Sequence, residues 1–166
     1  MRNNTKKLTT LSLMVTFALV LSYVESRIPT FVAIPGVKVG LANIAVIFTL
    51  YKLGLKEAIT ISLVRVVLVS FLFGNPISLI YSVSGAMLSL AVMVMLKLLT
   101  PLKEVAVSVT GGVMHNVGQI TVASIMLDTN VVTYYLPFLI LSGTLAGIAV
   151  GTASAILIKK IKIRLN

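Results

Sequence analysis

Apolar residues run along this chain in long blocks, and each block stops at residues that end helices. The blocks predict helices at about 8–25, 39–54, 56–73, 77–98, 105–127 and 132–158. Between them stand Pro29, Pro35 and Gly36, then Gly54, then Gly74, Asn75 and Pro76, then Pro101, then Asp128, Thr129 and Asn130. A helix needs about 20 apolar residues to cross a hydrocarbon core of roughly 30 Å, so six crossings take about 120 positions. Of 166 residues, that leaves two tails and five short connections. The expectation is an all-α integral membrane protein with six transmembrane helices in one domain, 1–166.

Composition agrees with the pattern. The chain is 58% hydrophobic and 11% charged, with a mean hydropathy of +1.08, a balance that a water-soluble surface cannot absorb. The net charge of +10 would suggest nucleic acid if the basic residues lined one folded face, but they lie between apolar runs and exclude that partner. Their distribution sets topology instead, because short loops rich in Lys and Arg stay in the cytoplasm. With the N-terminus inside, the inner segments hold Arg2, Lys6, Lys7, Lys52, Lys56, Lys97, Lys103, Lys159, Lys160, Lys162 and Arg164, and the outer ones only Arg27 and Lys38. Both termini are then cytoplasmic, in a multi-pass protein of the cytoplasmic membrane. Five or seven crossings would separate the two basic tails. The start, Met1 to Lys7 before an apolar run, imitates a secretory signal but lacks a small-x-small cleavage site, and reads as a retained first helix. The basic tail from Lys159 to Arg164 reads as an interfacial stop against membrane lipid.

Candidate chemistry is confined to a few polar positions within apolar runs. Arg65 stands alone in the third run, too deep to snorkel easily; such a residue faces a bundle interior, either in a structural ion pair or as a contact for an anionic ligand. The fifth run carries His115, Asn116 and Gln119, with His115 and Gln119 one turn apart on one face and Asn116 about 100° round. These side chains serve as interhelical hydrogen bonds or as a ligand pocket. Asn43 adds an amide in the second run. The segment from Ser26 to Lys38 is apolar and stiffened by proline; with Pro29, Phe31, Pro35 and Gly36 it reads as a lid over the bundle mouth or as a half-buried turn, and Lys38 joins the ligand contacts. Gly143, Gly147 and Gly151 form a small-residue ridge for close helix packing, within the chain or against a partner. With no cysteine and one histidine, thiolate and multi-histidine metal sites are excluded, and no phosphate-cradling Gly-x-x-x-x-Gly-Lys run exists, so ATP-driven work needs another protein. No catalytic residue, cofactor or metal site is assigned.

The series Ile34-Pro35-Gly36-Val37-Lys38-Val39-Gly40-Leu41-Ala42-Asn43-Ile44, then Leu63-Val64-Arg65-Val66, then His115-Asn116-Val117-Gly118-Gln119 resembles the Gx transporter family, also called heptaprenyl diphosphate synthase component I. That family is similar to the substrate-binding S components of energy-coupling factor transporters. The resemblance implies a six-helix S-component-like bundle with an outward pocket, a lid between helices 1 and 2, a membrane coupling subunit and two ATPases as partners, and no enzymatic activity of its own. It places docking on helix 1 at Ser12, Thr16, Ala18 and Ser22, without a plain Ala-x-x-x-Ala pattern. It also makes a flavin, as riboflavin, FMN or FAD, the first ligand to consider. The alternative is an accessory membrane subunit of a heptaprenyl diphosphate synthase in isoprenoid or menaquinone synthesis. Alone, the chain lacks the clustered aspartates that hold magnesium diphosphate, since its acids Glu25, Glu57, Glu104 and Asp128 lie in four separate segments.

Overall fold

A computed structural model describes residues 2–27, 40–73 and 76–161. Six helices follow in order: α1 Arg2–Arg27, α2 Asn43–Lys52, α3 Leu55–Phe73, α4 Pro76–Leu99, α5 Glu104–Met126 and α6 Leu136–Lys160, with a 3-10 turn Val131–Tyr135 before the last. Among the described residues there is no strand. The segments spanning Thr5–Arg27, Leu79–Leu99 and Val131–Lys160 are long and apolar enough to cross a membrane. The other three helices miss that measure for separate reasons. α3 carries Lys56, Glu57 and Arg65, α5 is diluted by glycines and by the polar run His115 to Gln119, and α2 has only 10 residues.

The departures from the expected boundaries have local causes. α1 extends below its apolar run because its polar first turns still make helix bonds, and Thr9 and Thr10 return their hydroxyls to the carbonyls of Thr5 and Lys6 at 2.9 Å. Helix 2 shrinks from 39–54 to Asn43–Lys52. Gly40 adopts a φ of +75° and Gly54 one of +129°, left-handed values that glycine tolerates and helix interiors do not use. At the latter, the amides of Leu53 and Gly54 both return to the Thr49 carbonyl, closing the helix. α6 begins later than 132 because Pro137 has no amide hydrogen and fits only the first turn of an α-helix.

α2 is the hub. Every residue from Ile44 to Leu50 is buried, as expected for a helix apolar on all sides, and it touches α1, α3, α5 and α6. Ile47, Phe48 and Leu50 are among the largest fully buried side chains. Around this hub, α4, α5 and α6 form a tightly packed layer, whereas α3 meets α4 much less closely than α4 meets α5. Successive helices alternate in direction, so Lys7, Lys52, Lys56, Lys97 and Lys103 gather at one end. There Lys7 pairs with Glu57 across α1 and α3. Lys97 of α4 donates to the Leu50 carbonyl at the C-terminus of α2 and lies 5.0 Å from the Tyr51 ring centre, a cation placed where a helix dipole is negative.

The glycine ridge of α6 packs against α5 within the chain. A Cβ on Gly143 would come within 3.0 Å of the Gly112 carbonyl oxygen, one on Gly147 within 2.5 Å of Val109 Cα, and one on Gly151 within 2.8 Å of Val105 Cα. Backbones meet directly along this seam, and only glycine leaves room.

Candidate functional site

The polar residues of five helices converge near the end of the bundle opposite the lysines. Ser22 and Glu25 come from α1, Asn43 from α2, Arg65, Val66, Val69 and Ser70 from α3, Ser82 from α4, and His115 and Gln119 from α5, with Gly40 before α2. They enclose a cavity of about 60 Å³. The helix period explains each contribution. Arg65, Val66, Val69 and Ser70 fall at i, i+1, i+4 and i+5, one face of α3, and Ser22 and Glu25 are one turn apart. His115 and Gln119 share the face of α5 that abuts Gly85 of α4. A Cβ on Gly85 would stand 2.8 Å from the His115 carbonyl oxygen and 2.9 Å from Gln119 Cγ, so the glycine lets the two polar side chains reach the cavity. Gly118 meets the Ser84 carbonyl and Gly85 in the same manner, and Ser84 Oγ donates to the Gly118 carbonyl at 3.3 Å.

Arg65 is the centre of this arrangement. It is 8% exposed and sits about 12 Å from the Phe73 end of α3 at 1.5 Å per residue. Among the described residues no acceptor meets its buried Nε. Glu25 supplies the opposing charge in the cavity, and its Oε1 accepts the Gly40 amide at 2.5 Å. That bond ties the entry of α2 to the end of α1. The cavity can therefore offer a guanidinium donor, a carboxylate, an imidazole and two amides to a compact polar group. Its volume has room for about two waters by the liquid value of roughly 30 Å³ each.

Of the expected ligand contacts, Arg65, His115, Gln119 and Asn43 line this cavity. Asn116 does not. It is buried on the neighbouring face of α5, where Nδ2 donates to the Leu139 carbonyl of α6 at 2.7 Å. A rotation of about 100° per residue separates it from His115, so it links helices. The lid residues Pro29, Phe31, Pro35 and Gly36, and Lys38, lie outside the described residues.

The four expected docking residues of α1 are divided between two faces. Ser12 and Thr16 are exposed, and Thr16 returns its hydroxyl to the Ser12 carbonyl. Ala18 is fully buried against Ala42 and Ala45, and Ser22 faces the cavity. Spacing of i and i+4 holds within each pair, but the pairs stand well over a right angle apart around the helix. Sequence reasoning missed Ser22, Ser70 and Ser82 as cavity residues; the i, i+3 spacing of Ser22 and Glu25 was the available signal, and Ser82 had none.

A larger cleft adjoins the cavity. It has a volume of about 340 Å³ and lies between Leu55, Ile59, Ser62, Leu63 and Val66 of α3 and Val83, Ala86, Met87, Leu90, Ala91 and Val94 of α4. Val66 lines both spaces.

Residues 14–157 match the family model for heptaprenyl diphosphate synthase component I. The chain belongs to that family, the Gx transporter family. No curated protein and no solved structure matches the chain. Arg65, His115 and Gln119 lie within the matched span and meet in the cavity, and Asn116 serves the α5–α6 seam.

Proposed function

We propose that this member of the Gx transporter family is a non-enzymatic ligand-binding membrane subunit of the energy-coupling factor type. All six helices lie across the cytoplasmic membrane, with both termini and the lysine-rich end inside. The bound group enters from the opposite end, and a membrane coupling subunit with two ATPases drives its movement. Docking to that module uses the outward Ser12 and Thr16 of α1. The observation that carries this reading is the cavity itself: a buried Arg65 with an unmatched donor, gathered with His115, Gln119, Asn43 and Glu25 inside an apolar bundle.

An oxyanion fits such a site, because guanidinium donors pair with carboxylate or phosphate. Flavins remain the first ligands to test, with FMN ahead of riboflavin because it bears phosphate. The 60 Å³ cavity is well short of the roughly 300 Å³ at which organic-ligand pockets begin, so a flavin ring requires the walling helices to part.

Purification in mild detergent tests the proposal. Co-purifying ATPases, a small molecule retained by the protein in mass spectrometry, and saturable FMN quenching that weakens in Arg65→Ala support it. The second reading, an accessory subunit of a prenyl diphosphate synthase, is favoured by the family description, which names a component. A soluble prenyltransferase bound to the purified protein, with no retained or saturable ligand, would establish that reading and refute transport.

A further inference from the structure

The polar cavity and the apolar cleft lie side by side and share the buried Val66 as a wall. Along α3, Arg65 and Val69 line the cavity, Val66 lines both, and Ser62, Ile59 and Leu55 continue into the cleft; along α4, Ser82 lines the cavity and Val83 the cleft. From Leu55 to Val66 and from Val83 to Val94 the cleft runs about 16 Å at 1.5 Å per residue. Its walls are Leu, Ile, Val, Met and Ala, apart from the buried Ser62. It is open at the side, with Leu63 45% and Met87 60% exposed.

We propose that this cleft holds the chain of a single-chain lipid anion whose compact oxyanion head sits against Arg65. The inference rests on the reading above that this site binds an anionic ligand, and it names a lipid anion in place of a flavin as that ligand. Three observations select that occupant. The cavity at Arg65 is about 60 Å³ against 340 Å³ for the cleft, so the polar part of the ligand is small and the apolar part large. The guanidinium is nine-tenths buried, and among the described residues its Nε has no acceptor, which a phosphate or carboxylate oxygen would satisfy. Glu25, in the lining of the same cavity, leaves the pair of fixed charges balanced and favours a head that also donates a proton to hydrogen-bond it, as a monoprotonated phosphate does. The small cavity at Arg65, about 60 Å³, also disfavours an ordinary two-chain phospholipid, whose glycerol backbone and second chain would have to enter beside the head.

The test uses the full chain in dodecyl maltoside with a photoreactive dodecyl phosphate carrying its diazirine at the chain end. The expected result is saturable labelling of α3 and α4 at the far end of the cleft, around Leu55, Ile59, Ala91 and Val94. It should fall at least tenfold for the matching dodecanol, and as far in Arg65→Gln, with partial recovery in Arg65→Lys. Ala91→Phe, which fills the cleft at an exposed position, should also abolish it in protein that still elutes as a single monodisperse species. Labelling that is equal for dodecanol, is competed equally by a diacyl phosphatidic acid, survives Arg65→Gln, or spreads evenly over α1 and α6 would assign the cleft to bulk lipid and overturn the inference. The two proposals fail separately. Absence of co-purifying ATPases with saturable cleft labelling defeats transport alone, whereas saturable FMN binding with no cleft labelling defeats the lipid anion alone.

Discussion

The α5–α6 seam and the α3–α4 cleft are both contacts between antiparallel neighbours in sequence, yet they are built in opposite ways. Along the seam, Gly112, Gly143, Gly147 and Gly151 bring two backbones together until no side chain intervenes. Along the cleft, branched and sulfur-containing side chains hold the helices apart and leave about 340 Å³ between them. In an apolar solvent the hydrophobic effect does not drive helices together, so close van der Waals contact between small residues decides which pairs are firm. The seam is a fixed scaffold, and the cleft is the part of the bundle with room to hold something.

That contrast is broken most severely by a side chain in the seam. Gly147→Leu would place its Cβ 2.5 Å from Val109 Cα, with backbone on the far side and no flexible group to yield. A loss of about 3 kcal/mol is expected, read as early aggregation in a thermal ramp monitored by fluorescent size exclusion. By contrast, Ala91→Phe in the cleft should leave that ramp nearly unchanged. Next in size is Arg65→Ala. It removes a charge-assisted hydrogen bond worth about 1.5–3 kcal/mol, so ligand affinity measured by titration should fall roughly 10- to 100-fold. Asn116→Ala sharpens the division between neighbouring residues of α5. It breaks the bond to the Leu139 carbonyl and should cost about 0.6–1.7 kcal/mol of stability, the range found for polar contacts between membrane helices. Ligand affinity should be unaffected; an affinity loss matching that of Arg65→Ala would move Asn116 into the cavity. The smallest effect belongs to Lys7→Ala, which removes the α1–α3 ion pair with Glu57. With Lys7 about half exposed, the change should be at most about 0.5 kcal/mol and should vanish in high salt.

Much of the candidate site could be read before the fold was known. Arg65, His115, Gln119 and Asn43 stand out because a polar group in an apolar run is costly unless it has a purpose. Two other inferences depended on rotation about a helix axis, and there the pattern was insufficient. Asn116 sits between His115 and Gln119 in sequence and on another face in space. Ser12, Thr16, Ala18 and Ser22 share a spacing within pairs but not a side of α1. Glu25 stands in the sequence only as one of four scattered acids, and its bond to the Gly40 amide joins it to a residue fifteen positions on.

What the sequence determined by itself is local: six helices, the residues that stop them, an apolar chain with its lysines between the runs, and the few polar positions that could carry chemistry. Those follow from helix period and from the length of apolar runs, which each segment satisfies alone. Only the tertiary structure decided that ten-residue α2 is the buried hub, that the glycine ridge is spent within the chain, and that Val66 is a wall shared by a polar cavity and an apolar cleft. The physical reason is that a helix is free to rotate and slide until its neighbours pack. The glycines at 85, 112, 118 and 147 set those rotations through contacts of backbone on backbone, which no single segment contains.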